Sequence, residues 1–191
     1  PPRLIDRLPL FILALALVAL FHRLLLGEAF YWGLPSLQFY PWREYAFDLL
    51  RQGQLPLWNP YNGAGAPLLA NYQSALLYPF HWPGLILPLA SWMSMTAVLH
   101  LFIAGWGLWA FTGRLGVPTL GRGLSTLSFA LTAYLVARLG TYPTITAAAW
   151  LPWTLWAALG LLQHGRLRDI GWLGVLTGLQ LLAGHAQTTW Y

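Results

Sequence analysis

The chain has 191 residues, of which 58% are hydrophobic and only 8% charged, with 10 basic residues, all arginine, against 5 acidic ones for a formal net charge of +5. A soluble domain carries about 25% charged residues, so a soluble α/β enzyme, a disordered tail and a nucleic-acid module are all excluded as readings. Cysteine is absent, which rules out a disulfide framework, a zinc knuckle and a thiol nucleophile. The arginines are scattered between apolar runs and form no basic stripe of the kind nucleic acid requires.

A hydrocarbon core about 30 Å thick is crossed by roughly 20 apolar helical residues, and five runs approach that length. They extend from Leu8 to Leu26, Trp92 to Thr112, Leu124 to Leu139, Ile145 to Leu162, and from Ile170 onward. The third is short, which calls for local thinning of the bilayer. The first has no small-residue cleavage site and runs into Glu28-Ala29-Phe30-Tyr31-Trp32, so it reads as an anchor and not as a signal peptide. The predicted class is therefore all-α: a polytopic transmembrane bundle, a single domain over residues 1–191, forming the N-terminal part of a longer polypeptide. Short cytoplasmic loops collect basic residues. An N-terminus inside places Arg3, Arg7, Arg114, Arg122, Arg166 and Arg168, six of the 10, in the cytoplasm and leaves Arg23, Arg43, Arg51 and Arg138 outside. Residues 27–91 then form one long outer loop, and structureless loops of that length are rare unless they carry function. The implied location is a membrane, crossed several times.

Within this loop Trp42, Tyr45, Ala46, Leu49 and Leu50 recur at helical spacing, with Arg43, Glu44, Asp48, Arg51 and Gln52 opposite. Pro41 suits a first helical position and Gly53 a stop. The pattern predicts an amphipathic helix lying at the outer interface, its rings at headgroup level. Glu44 and Asp48 share a face, and Asp48 can pair with Arg51 at i, i+3. That face is either a solvated, partly paired surface or a carboxylate site for a substrate hydroxyl or a divalent cation. From Leu55 to Pro79, Pro and Gly recur too often for a regular helix. Aromatic rings there alternate with Asn and Gln amides, among them Trp58, Asn59, Asn71 and Gln73. Such residues suit sugars, whose hydroxyls pair with amides, and equally suit interfacial anchoring.

Two polar groups lie near the ends of later spans. His185 and Gln187 follow a climb of 16 residues from Ile170, roughly 24 Å at 1.5 Å each, toward the outer face. They either contact a ligand or make a helix-packing hydrogen bond. Arg138 and Tyr142 reach the same face, where Arg138 is suited to bidentate phosphate contact or to snorkelling. His22, His81 and His100 show no metal-ligand spacing and read as packing or interfacial residues, so no metal site is assigned.

The runs Gln38-Phe39-Tyr40-Pro41-Trp42-Arg43, Leu49-Leu50-Arg51-Gln52-Gly53-Gln54-Leu55-Pro56-Leu57-Trp58-Asn59-Pro60-Tyr61 and Gly65-Ala66-Pro67-Leu68-Leu69-Ala70-Asn71-Tyr72-Gln73, with Tyr78-Pro79, resemble the first outer loop of YfhO-like bacterial membrane proteins. Gly184-His185-Ala186-Gln187 is similar to a second motif of that group. The resemblance implies a GT-C glycosyltransferase, which takes a sugar from a polyprenyl-phosphate carrier on the outer face and delivers it to a cell-envelope acceptor. It implies a carboxylate base soon after span one, for which Glu28 stands closest, at a boundary where partial desolvation would raise its pKa. The family pattern has an Asp shortly before Gln38; this chain has Gly33-Leu34-Pro35-Ser36 there. The base is then Glu28, Glu44 or Asp48, or the chain keeps the scaffold without the transfer. Gln38, Arg43, Trp58, Asn59, Asn71, Gln73, Arg138, Tyr142, His185 and Gln187 are the candidate substrate contacts. The enzyme reading predicts that the carboxylates, Arg138 and His185 converge on one outer cavity beside a lipid-facing groove. The competing reading is a non-catalytic membrane subunit, a scaffold packing against membrane-protein partners or pigment through His22, His100 or His185. A transporter ranks third, because the spans hold almost no ionisable residues.

Overall fold

The structure, a computed structural model, describes residues 7–190. It is a helical bundle of α1 (Leu8–Leu25), α2 (Tyr40–Arg51), α3 (Leu89–Arg114), α4 (Thr119–Ala130), α5 (Ala133–Ala137), α6 (Tyr142–His164), α7 (Leu167–Leu182) and α8 (Ala186–Trp190). A minimal antiparallel pair, β1 (Trp58–Asn59) with β2 (Ala66–Pro67), puts Trp58 opposite Pro67. Helices α3 and α6 form the central pair. Helix α7 lies against α6, while α1 and α4 lie against α3.

Among the described residues four helical stretches are long and apolar enough to cross a membrane: Leu8–Leu25, Leu89–Arg114, Thr119–Ala137 and Tyr142–His164. Two expected spans look different from their sequence reading. The third is broken, because the side chain of Thr132 accepts a hydrogen bond from the Leu135 amide at 3.3 Å and starts α5 as a new helix. The fifth is the 16-residue α7, which ends at Gly184 in the left-handed region (φ +91°). A chain of 16 residues rises roughly 24 Å, short of a full hydrocarbon core. At the end of α3 farthest from the long connection, Arg114 lies 4.0 Å from the Trp156 ring centroid and Arg122 3.7 Å from that of Trp109.

Residues 26–88 pack onto the other end of α3 and α6, and part of the connection enters between those helices. Tyr78 is fully buried. The Thr96 carbonyl can only accept, so His100 donates to it from Nδ1 (2.6 Å) and its Nε2 is the acceptor. Tyr78 therefore donates its hydroxyl hydrogen to His100 Nε2 (2.5 Å) and accepts from the Trp150 indole N–H (2.7 Å). All the hydrogen bonds in this chain run one way, from α6 through the connection to α3.

Irregular backbone buried among apolar helices must find partners for its carbonyls, and side chains supply them. His81 Nδ1 donates to Ala75 O (3.0 Å), the Trp82 indole to Leu76 O (3.1 Å) and the Trp92 indole to Phe80 O (2.8 Å). Arg51 donates to Leu85 O (3.0 Å) and Gly84 O (3.2 Å). Ala75 itself sits at φ +50°, a strained position for a residue with a Cβ, held by this surrounding network.

Tyr78→Phe strands both the His100 Nε2 and the Trp150 N–H. Each buried group left without a partner costs about 1–3 kcal/mol, so this variant should lose at least that much stability in detergent unfolding followed by tryptophan fluorescence. Tyr61→Phe, at an exposed hydroxyl, should leave the transition in place.

Candidate functional site

Helix α2 is entered through a single π-helical turn, Pro35–Phe39, which carries Gln38 and Phe39 into place. Its buried side consists of Arg43, Ala46 and Phe47, an i, i+3, i+4 set. This corrects the sequence assignment of Arg43 to the polar face. The stripe that decides the helix's rotation is built around Phe47, which packs near Gly84, and Arg43 shares that stripe. Leu50, on the expected apolar face, is exposed.

Arg43 is 1% exposed. Its Nε donates to the Ser74 carbonyl at 3.3 Å, while neither Nη1 nor Nη2 has a hydrogen-bond partner. The guanidinium carbon lies 5.5 Å from the Tyr142 ring centroid and 6.0 Å from that of Phe39. Aromatic faces compensate a cation by about 0.5–2 kcal/mol, far less than the several kcal/mol that burying an ion costs. Burial lowers the Arg43 pKa to about 10, so it remains a cation at neutral pH. Two parallel N–H groups facing no acceptor form the fork that carboxylates and phosphates take up.

The surroundings of Arg43 bring together several of the expected contacts. Gln38 Nε2 donates to Gln73 Oε1 at 3.1 Å. Asn71 Oδ1 accepts from the Gln73 amide (3.2 Å) and caps the short 3-10 turn Tyr72–Ser74, whose last carbonyl holds Arg43. The motif at Gly184 arrives from the other side. A Cβ on Gly184 would stand 2.8 Å from the Tyr72 carbonyl oxygen and 3.0 Å from the Ala75 Cβ, so only glycine fits this crossing. The Tyr72 hydroxyl donates to Leu181 O at 2.5 Å. Gln38, Arg43, Asn71, Gln73, Tyr142 and the His185 turn thus belong to one assembly. His185 acts there as a helix cap: its Nδ1 accepts from the Thr188 amide (3.2 Å) and hydroxyl (2.7 Å). Gln187 is exposed on α8.

The remaining candidates lie elsewhere. Glu28 is exposed and ion-paired with Arg23 at 2.7 Å, so the burial that would have made it a base is absent. Asp48 is exposed and paired with Arg51 at 2.7 Å. Arg138 is exposed and rests 5.2 Å from the Tyr134 ring centroid. Trp58 lies over Gly65, and Asn59 Oδ1 accepts from the Tyr61 amide at 2.9 Å, both of which serve the β1–β2 hairpin.

Glu44 is the carboxylate with reacting potential. It is half-buried, its Oε2 is buried without a partner, and the Tyr40 hydroxyl hydrogen-bonds to it. That bond, more than burial, raises the Tyr40 pKa to about 12. Tyr40 and Tyr142 line a cavity of about 340 Å³ together with Phe30, Pro35, Ser36 and Met93. Tyr142 thereby separates the cavity from the Arg43 guanidinium. The importance of Ser74 and Tyr78 is invisible in the sequence, because it arises from contacts between segments 22 to 72 residues apart. Among the described residues no group of three or more His, Asp or Glu side chains could hold a metal ion.

No protein-family pattern matches the chain, and neither a curated protein nor a solved structure matches it significantly.

His81 is buried at 3% exposure, and burial first, then the Arg43 charge, hold its pKa well below the ordinary value of 6.5. The folded protein therefore binds fewer protons than the unfolded chain below pH 6.5. This contribution to stability is constant above that pH and lost as pH falls, by up to about 1.4 kcal/mol per pH unit. His81→Asn, which keeps a donor for Ala75 O but does not titrate, should flatten the acid limb of an unfolding-versus-pH curve between pH 6.5 and 4.5.

Proposed function

We propose that the chain is part of a membrane glycosyltransferase that moves a sugar from a polyprenyl-phosphate carrier to a cell-envelope acceptor on the outer face. With the N-terminus inside, residues 26–88 and the Arg43 assembly lie on that face. The observation that carries the reading is the buried Arg43 guanidinium with two uncommitted nitrogens, held by the Ser74 carbonyl next to Gln73 of the Gln38–Gln73 amide pair.

In this reading the acceptor hydroxyl attacks the anomeric carbon as the bond from that carbon to the carrier phosphate oxygen breaks. Glu44 takes the hydroxyl proton, its alignment set by the Tyr40 hydroxyl. The phosphate leaves with the bonding electron pair, and Arg43 stabilises the charge that develops on it. Gln38 and Gln73, whose amides both donate and accept, are suited to sugar hydroxyls. Glu28 and Asp48 remain in their ion pairs and take no chemical part.

A non-catalytic membrane subunit is the second reading, favoured by the commitment of Glu28 and Asp48 to those pairs. Pigment ligation by His100 fits poorly, since both of its ring nitrogens are engaged.

The test is sugar transfer from lipid-linked donor by the full-length protein. Loss of a general base costs about 10²–10⁴-fold, so Glu44→Gln should lower kcat by that amount. Arg43→Gln, which removes the charge behind Tyr142, should lower kcat/KM for the lipid donor at least tenfold. Glu28→Gln and Asp48→Asn should stay within about twofold of the parent. Full turnover in Glu44→Gln would overturn the mechanism.

A further inference from the structure

Arg43 carries a charge that no carboxylate among the described residues balances. Glu28 is paired with Arg23 and Asp48 with Arg51, while Glu44, the neighbour of Arg43 in sequence, takes the Tyr40 hydroxyl. The guanidinium nonetheless lies 1% exposed, and its Nη1 and Nη2 are both buried without a hydrogen-bond partner. The rings of Tyr142 and Phe39, 5.5 and 6.0 Å away, offset only part of what removing an ion from water costs. Because Nε is committed to Ser74 O at 3.3 Å, the fork formed by the two terminal nitrogens has a fixed direction.

The surroundings limit what this fork can hold. Helix α6 starts at Tyr142, so the positive end of a 23-residue helix adds to the same potential. His81 feels the Arg43 charge too, but burial keeps it neutral and its Nδ1 is spent on Ala75 O. One positive charge therefore remains to be matched, and a divalent phosphate would overshoot it. Size is limited as well, since Tyr142 stands between the guanidinium and the cavity that Tyr40 and Phe30 line. Two N–H groups on one side and aromatic rings around them suit a compact, polarisable anion of single charge.

We propose that Arg43 binds one small monovalent anion, chloride in ordinary salt, through Nη1 and Nη2 in the interior of the connection between α1 and α3. Binding itself is independent of the transferase reading. Its consequence for turnover rests on that reading: a bound halide neutralises the charge that Arg43 places behind Tyr142, so halide inhibits transfer.

The experiment follows thermal unfolding of the full-length protein in detergent, in chloride, bromide or gluconate at equal ionic strength. Either halide should raise the midpoint by several degrees over gluconate, and the rise should saturate with concentration. Arg43→Met, which keeps an unbranched side chain without its charge, should lose this halide response, whereas Arg138→Met, at an exposed arginine, should keep it. Crystals of the parent protein grown in bromide should show an anomalous peak at the Arg43 fork, and this measurement decides alone if Arg43→Met does not fold. Equal midpoints in chloride and gluconate, a halide response that survives in Arg43→Met, or bromide confined to other positions would each overturn the proposal. Sugar transfer separates the two readings, with turnover at least twofold lower in chloride than in gluconate expected of the parent. No transfer in either salt, with the halide response intact, would sink the transferase reading and leave the anion site. Transfer that depends on Arg43, in a protein whose stability ignores halide, would do the reverse.

Discussion

The constraint on which the structure depends is the need to satisfy backbone carbonyls where an irregular segment is buried among apolar helices. A long helix meets that need internally, whereas the stretch from Leu68 to Leu85, with only the short 3-10 turns Tyr72–Ser74 and Pro79–Leu85, meets it in part. Its carbonyls are met by long polar side chains from its own residues and from α2 and α3: two arginines, a histidine and two indoles. This use accounts for part of the chain's unusual supply of tryptophan, an apolar body with a single donor that can be buried without stranding an acceptor.

The buried cation follows from the same constraint. Arg43 is drawn inward because Ser74 O needs a donor and Phe47 sets the rotation of α2. One N–H of the guanidinium meets that need, and the two terminal nitrogens come with it unpaired. Structural demand and the capacity to bind an anion thus meet in one side chain. In Asp48 and Arg51 the opposite holds, since exposed charges find each other and water, and such pairs contribute about 0–1 kcal/mol.

Much of the bundle is legible from the amino acids. The long apolar runs around Leu13, His100 and Trp150 are helices close to where composition places them, because burial over a whole helix leaves a signal many residues long. Helix α2 is also legible, down to Pro41 near its start and Gly53 after its end. Its rotation is not, because Trp42, Leu49 and Phe47 offer two competing apolar stripes and only tertiary packing chooses between them. The break at Thr132 escapes for a related reason: a single capping hydroxyl outweighs an apolar run that reads as continuous. Of the site, the amide and aromatic composition of residues 58–73 is visible at once. Which of those residues converge is not, since Gln38 meets Gln73 and Tyr72 meets Leu181 across 35 and 109 positions.

The one-way relay from Trp150 through Tyr78 to His100 also bears on how the protein is made. The partners of Tyr78 lie 22 and 72 residues downstream of it. At a synthesis rate of about 5–20 residues per second, the indole that completes the relay leaves the ribosome roughly 4–14 seconds after the tyrosine. For that interval the connection has helices on one flank only. It becomes a wedge inside the protein when α6 closes against α3, so the insertion of the later helix decides when the earlier segment matures.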